Sequence, residues 1–181
     1  MPESLNARAL RALSPAPALA QLERWFVQPP LRLVLAAVLL SVLWSSALAL
    51  GAAALRIERP VVSVVTAAPP ATQARHVLFT APLVENAVLW LVFAAALFCL
   101  RQWWPARAAL LSVGLAAALF ALAHAPVKVL YGAEVLMLGV LMSLCFLWGA
   151  RHRRPWRGYA LSVAMHLGVN LVAFGLLHGT G

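Results

Sequence analysis

The chain has 181 residues, of which 64% are hydrophobic and only 10% are charged. This composition lies outside the range of soluble globular domains and predicts a protein largely surrounded by lipid. Fourteen Lys and Arg residues against five acidic residues give a formal charge of +9. Because the arginines fall in short clusters between apolar runs, they indicate anchors at a membrane surface, and no nucleic-acid partner is expected.

The first 30 residues mix apolar and charged side chains within short distances. Leucines alternate with Arg8 and Arg11, and Trp25 and Phe26 follow Glu23 and Arg24. This pattern is typical of an amphipathic segment lying in the cytoplasmic membrane interface, and a disordered tail is the alternative. Segment 1–30 is therefore treated separately from the rest of the chain.

Five apolar runs of the length needed to cross a bilayer follow this segment. They lie at 31–55, 77–100, 107–125, 129–150 and 158–178. The first run is longer than the apolar part of a cleavable signal peptide, so we expect it to be retained. The predicted fold class is an all-α polytopic membrane bundle of about five transmembrane helices, spanning residues 31–178.

The distribution of basic residues predicts the orientation of this bundle. Ten of the fourteen Lys and Arg residues lie before or at the start of the first run, or in and next to the turns after the second and fourth runs. Because the side with more basic residues stays cytoplasmic, we expect the N-terminus inside and the C-terminus outside. Residues 56–76 would form an outer connection. The Ala, Leu, Arg and Pro bias favours a bacterial inner membrane.

Polar side chains within the runs are few, and the predicted orientation places them all near the midplane or in the outer half. An ionisable group at membrane depth costs several kcal/mol unless it is paired or hydrated, so each one is a functional hypothesis. They lie in four of the five runs: Glu85 and Asn86 in the second, His124 in the third, Glu134 in the fourth, and His166 and Asn170 in the fifth.

The spacing of these residues suggests acid–base chemistry. Phe120 and His124 are four residues apart, as are His166 and Asn170, so each pair shares one helical face. A carboxylate such as Glu85 that meets a histidine can deprotonate a water molecule. A second histidine and an amide can supply hydrogen-bond donors to a developing oxyanion.

Other types of site are disfavoured by the residues present. Ser112 is a poor candidate for a rhomboid-like nucleophile, a His-Glu-x-x-His zinc motif is missing, and the chain contains no aspartate. Cys99 and Cys145 lie in separate apolar runs without neighbouring ligands. We therefore expect neither a metal nor another cofactor.

Three motifs together carry a family resemblance. Pro82 precedes Glu85-Asn86, and Phe-x-x-x-His and His-x-x-x-Asn end at His124 and Asn170. In this order and separation they resemble the CPBP family of glutamic-type intramembrane proteases, also called the CAAX protease or Abi family, over residues 77–178. The family pattern at the first motif is Glu-Glu-x-x-x-Arg. Asn86 and Trp90 depart from it.

The resemblance implies catalytic roles for four residues. Glu85 and His124 would activate water, while His166 and Asn170 would stabilise the oxyanion, with Asn86 and Phe120 in support. The implied partners are membrane lipid and a membrane-associated peptide or protein substrate, with peptide maturation or C-terminal sorting favoured. The oligomeric state is not predicted.

Alternative interpretations come from helix packing. Polar side chains between membrane helices also act as hydrogen-bonding glue, and Glu134 is expected to pair with Lys128 or Tyr131. A catalytically silent relative acting as an assembly or immunity subunit is therefore the main alternative. A small transporter with a proton path is less favoured because five helices form no evident inverted repeat.

Overall fold

The computed structural model describes residues 30–57, 69–125 and 129–178. The chain divides into two units, Met1–Leu33 and Val34–Gly181. Only the first turn of a helix is described in the first unit, and the packing below concerns the second. Within the described ranges the chain is helical and forms no strands, which confirms the all-α prediction. The interfacial segment predicted for 1–30 lies outside the described residues except for Pro30, as does Lys128.

The described helices follow the apolar runs. Helix α1 spans Pro30–Ala54, α2 spans Pro70–Arg75, a π-helical turn spans His76–Thr80, and α3 spans Ala81–Trp103. Helices α4, α5 and α6 span Ala108–His124, Val129–Arg151 and Pro155–His178. Four of the described helical segments are long and apolar enough to cross a membrane, consistent with an integral membrane protein. Helix α4 is apolar but has only 17 residues.

The second segment begins earlier than the sequence pattern predicts. Helical structure starts at Pro70 rather than at residue 77 and continues without a break to Trp103. Proline at the first helical position is favourable because its missing N–H is not needed there. Ala71, Gln73 and Arg75 are good helix formers, but Gln73 and Arg75 are too polar to extend an apolar run. Part of the predicted outer connection at 56–76 is therefore helical.

Helices α3 to α6 form a four-membered arrangement. Helix α4 packs between α3 and α5, and α6 packs against both α5 and α3. The core between them is apolar, and the rings of Phe93 and Phe146 lie 5.9 Å apart in it. Helix α1 lies outside this group. Its Trp44 donates an indole hydrogen bond to the Ala133 carbonyl of α5 at 2.9 Å.

Helices α5 and α6 approach each other closely beside the turn that joins them. A Cβ atom built on Gly149 would lie 2.8 Å from the Gly158 Cα, and one built on Gly158 would lie 2.6 Å from the Cys145 carbonyl oxygen. Small residues allow membrane helices to pack at such short distances. In the turn itself, Arg153 has a φ of 53°, and the Arg154 amide donates to the Gly149 carbonyl. This contact fixes the start of α6 against α5.

Candidate active site

Three of the four predicted catalytic residues meet at one point between helices. The Glu85 Oε2 atom of α3 lies 3.7 Å from the Nε2 atom of His124 at the end of α4. The same oxygen lies 3.9 Å from the Nε2 atom of His166 on α6. The side chains are 32%, 20% and 4% exposed, respectively. The carboxylate is therefore the most accessible member of the group and His166 the most buried.

The three residues stand at different points along their helices. Glu85 is in the second turn of α3, His124 is the last residue of α4, and His166 is in the middle of α6. At 1.5 Å per residue, Glu85 and His124 stand about 24 to 26 Å along their helices from Arg101 and Arg107. The site is thus far from the arginine-bearing turns on α3 and α4. The predicted orientation would place it towards the outer face.

A π-helical turn positions the helix that carries the carboxylate. The Ala81 N–H donates to the His76 carbonyl five residues earlier, which is the π-helical pattern. The next donor in that pattern for the Val77 carbonyl would be Pro82, which has no N–H. Instead, the Asn170 Nδ2 atom of α6 donates to the Val77 carbonyl at 2.7 Å. The proline therefore releases a backbone acceptor, and an amide from α6 satisfies it.

This bond bears on the predicted role of Asn170. The residue lies one turn beyond His166 on α6, and one of its two amide hydrogens is directed to the backbone of the π-helical turn. An amide nitrogen has two hydrogens, so this bond leaves the second one for another acceptor. The oxyanion role stays a prediction. The described contact is a helix-to-helix hydrogen bond, which is the alternative that the sequence leaves open.

The imidazole of His124 is held by contacts from its own helix, α4, and from the start of α5. The Nδ1 atom lies 2.7 Å from the Phe120 carbonyl, and the two rings lie 4.4 Å apart. The Tyr131 ring of α5 meets the same imidazole edge-on at 5.7 Å. Gly132 permits this approach, since a Cβ there would lie 3.0 Å from the Ala121 carbonyl oxygen. His124 therefore has a fixed ring orientation, with Nε2 directed at the carboxylate.

A buried polar cluster lies behind His166. The Asn86 Nδ2 atom donates to the Pro82 carbonyl at 2.6 Å and lies 3.0 Å from the His166 Nδ1 atom. The Ser162 hydroxyl donates to the Asn86 Oδ1 atom. Asn86 and Ser162 are both fully buried. Asn86, at the position of the second glutamate in the CPBP motif that the sequence resembles, therefore contacts a predicted site residue directly.

Trp90, which stands in place of the family's arginine, belongs to an aromatic cluster. Its ring centroid lies 5.3 Å from that of Trp156 and 6.1 Å from that of Tyr159, both on α6. The Tyr159 hydroxyl donates to the Leu83 carbonyl at 2.9 Å. These aromatic side chains make apolar contacts that join α3 to α6 beside the buried polar cluster. A cation at residue 90 would have to displace this packing.

Two contributors to the site were not predicted as site residues. Ser162 lies four residues before His166, so helical spacing places both on one face, and this signal could have revealed it. Tyr131 was considered only as a partner of Glu134, because no sequence motif links it to His124. Glu134 does have an interaction in the structure. Its pairing with Lys128 lies outside the described residues.

The described part of the chain bears on two other kinds of site. It contains no group of three or more His, Cys, Asp or Glu residues arranged to hold a metal ion. Ser112 is fully buried and donates back to the Ala108 carbonyl of its own helix at 2.6 Å. The candidate site brings one carboxylate and two imidazoles to a common point.

No protein-family model, curated protein or solved structure matches this chain. The resemblance to the CPBP family therefore depends on the three motifs alone and stays a prediction.

Proposed function

We propose that this protein is a glutamic-type intramembrane endopeptidase that hydrolyses a peptide bond of a membrane-associated peptide or protein. The observation that carries the proposal is the position of the Glu85 carboxylate, 3.7 Å from one imidazole and 3.9 Å from another. Both separations are longer than a direct hydrogen bond. Groups this far apart are commonly bridged by a shared water molecule.

The bonding of His124 supports its role as a base. A backbone carbonyl only accepts hydrogen bonds, so the Nδ1 atom facing the Phe120 carbonyl must carry a hydrogen. In the neutral ring this leaves a lone pair on Nε2, the atom directed at Glu85. A carboxylate oxygen and an imidazole lone pair thus face the same point. Two acceptors in this arrangement suit a water molecule that donates both of its hydrogens.

The proposed reaction is hydrolysis without a covalent enzyme intermediate. As the water oxygen forms a bond to the carbonyl carbon of the peptide, a water proton passes to Glu85 or His124. The carbonyl oxygen becomes an oxyanion that accepts hydrogen bonds from His166 and from the second amide hydrogen of Asn170. The C–N bond then breaks, and the retained proton passes to the leaving amine. A carboxylic acid and an amine result.

Access to the site fits a substrate that arrives through lipid. Leu83, Val84 and Val88 surround Glu85 along α3, and each is at least half exposed. A substrate segment lying in the membrane can contact this apolar surface beside the carboxylate. With the predicted orientation, the bond to be cleaved would lie towards the outer face of a bacterial inner membrane. Maturation of a peptide or removal of a C-terminal sorting signal fits such a substrate.

A silent family relative acting as an assembly or immunity subunit is the second candidate. The direct bonds among Asn86, Ser162 and His166 and the aromatic packing of Trp90 favour it, because they resemble helix-packing contacts. The transporter hypothesis receives less support. One and two turns beyond Glu85 along α3, the buried residues Leu89 and Phe93 interrupt the polar group.

The test is hydrolysis by the full chain reconstituted in lipid vesicles. The probes are fluorogenic peptides that each carry an apolar segment of about 20 residues, the length that spans a bilayer. Glu85→Gln should reduce cleavage by roughly 10² to 10⁴-fold, the usual contribution of a general base. Glu134→Gln, which removes the other carboxylate of the α3 to α6 helices, is the matched control and should retain cleavage.

Hydrolysis should place ¹⁸O from labelled water in the new C-terminal carboxylate of the cleaved peptide. Direct attack by water also predicts that intact-mass measurement of the chain during turnover reveals no acyl-enzyme, whereas a detected acyl-enzyme would contradict it. If the wild-type chain cleaves none of the peptides, the assembly alternative is favoured. Equal cleavage by the Glu85→Gln variant would contradict the proposed mechanism.

A further inference from the structure

We infer that Asn86, held by Pro82 and Ser162, is a positioning residue that fixes His166 in the tautomer carrying its hydrogen on Nε2. Within the proposed function, on which this role depends, the bond makes His166 a permanent hydrogen-bond donor towards the reacting centre. The replacement of the family's second glutamate is then part of the site rather than a defect in it.

Two contacts determine the orientation of the Asn86 amide. The side-chain atom 2.6 Å from the Pro82 carbonyl oxygen must be a donor, because two carbonyl oxygens at this distance would repel each other. That atom is therefore the NH₂ nitrogen. The oxygen then faces the Ser162 hydroxyl, which donates to it. One amide hydrogen is used by Pro82, and the amide oxygen is used by Ser162.

The oriented Asn86 amide in turn selects the tautomer of His166. The second hydrogen of the Asn86 NH₂ group faces the His166 Nδ1 atom at 3.0 Å. A nitrogen that accepts this bond presents a lone pair and carries no hydrogen. In the neutral ring the hydrogen is then on Nε2, the atom 3.9 Å from the Glu85 carboxylate. Asn86 has no unused donor left, so each bond in the cluster requires the others.

The two histidines consequently have opposite and non-interchangeable tautomers. His124 donates through Nδ1 to a backbone carbonyl and presents an acceptor on Nε2. His166 accepts on Nδ1 and presents a donor on Nε2. A base and an oxyanion donor need this difference. A glutamate at residue 86 would accept a hydrogen bond from Nδ1–H, which would convert the His166 Nε2 atom into an acceptor.

The cluster is suited to enforce this choice because it is dry. Asn86 and Ser162 are fully buried, and His166 is 3% exposed. Water cannot readily replace a lost partner at such a position, and an unsatisfied buried polar group is costly. The tautomer therefore depends on the protein side chains and backbone alone.

The test reads the tautomer directly and needs no substrate. The full chain, labelled with ¹⁵N at its histidines, is placed in lipid nanodiscs, and the nitrogen resonances of the two site rings are assigned by their loss in His124→Gln and His166→Gln. We expect a protonated Nε2 and an unprotonated Nδ1 for His166, and the reverse for His124. A wild-type His166 that carries its hydrogen on Nδ1, or an equal mixture of tautomers, would overturn the inference.

Variants extend the test. Asn86→Ala should remove the preference and give a mixture of His166 tautomers, while Asn86→Asp should favour hydrogen on Nδ1. Asn170→Ala, which removes the side-chain amide one turn beyond His166 on α6, should leave the His166 tautomer unchanged. An unchanged His166 spectrum in folded Asn86→Ala would show that Asn86 does not set the tautomer.

Activity separates this inference from the proposed function. In a chain that cleaves peptides, loss of a residue that orients a site histidine should lower kcat by roughly 10 to 100-fold, with KM little changed, by analogy with partners of metal-bound histidines. The expected tautomers without any peptide cleavage would refute the protease proposal alone. Cleavage with a mixed His166 tautomer would refute only the positioning role.

Discussion

The close contact between α5 and α6 predicts that one added methyl group at Gly158 destabilises the protein. The new Cβ of Gly158→Ala would lie 2.6 Å from the Cys145 carbonyl oxygen and 2.9 Å from the Gly149 Cα. Both neighbours are backbone atoms, so the helices must move apart. Overpacking of this kind costs about 1 to 3 kcal/mol, and the severe contact places Gly158→Ala near the upper end. Alanine is more favourable than glycine in a helix by about 1 kcal/mol. The free energy of unfolding should therefore fall by about 2 kcal/mol in total.

A matched glycine provides the control for this prediction. Gly114 lies inside α4, and a Cβ built on it has no atom within 4 Å among its described surroundings. Gly114→Ala should therefore be neutral or stabilise the protein by up to about 1 kcal/mol. The free energy of unfolding is measured for both variants by reversible unfolding in mixed detergent micelles, followed by circular dichroism. A Gly158→Ala variant as stable as the wild type would refute the packing argument.

Two further predictions concern Ser112 and Trp90. Ser112→Ala should retain peptide cleavage, because the Ser112 hydroxyl is bonded to its own helix, and a loss of cleavage above tenfold in the vesicle assay would reopen a serine mechanism. Trp90→Arg, which introduces the arginine of the CPBP motif, should lower stability by about 1 to 3 kcal/mol, because two partly exposed aromatic contacts, with Trp156 and with Tyr159, are lost at about 0.5 to 1.5 kcal/mol each; unchanged unfolding would show that these two contacts do not stabilise the α3–α6 packing.

The helices could be predicted because the bilayer sets their length and composition directly. Helices α1, α4 and α5 begin and end within two residues of the predicted runs. The early start at Pro70 was missed, since the first turns of that segment are polar. Trp148 lies near the end of an apolar run, where tryptophan is usually interfacial, but it is buried and stacks on His152 at 4.6 Å. Hydropathy cannot distinguish a buried tryptophan from one at the interface.

The candidate site could be predicted in part. The meeting of Glu85 with His124 and His166 follows from their helical spacing and their predicted depth. The partner of Asn170 could not be found this way. The Val77 carbonyl is free only because a π-helical turn precedes a proline, and it lies 93 residues away in the chain. Such a partner depends on tertiary packing, which side-chain motifs do not encode.

The short length of α4 has a consequence for the surrounding membrane. Its 17 residues extend about 26 Å, less than the hydrocarbon thickness of about 30 Å. The bilayer accommodates such a hydrophobic mismatch by becoming locally thinner. Because His124 ends this helix, the depression in the bilayer would form directly beside the carboxylate. Headgroups and bulk water would then reach down to the proposed catalytic centre, which chain position alone would leave in hydrocarbon. The proposed hydrolysis would not require the substrate to leave the membrane.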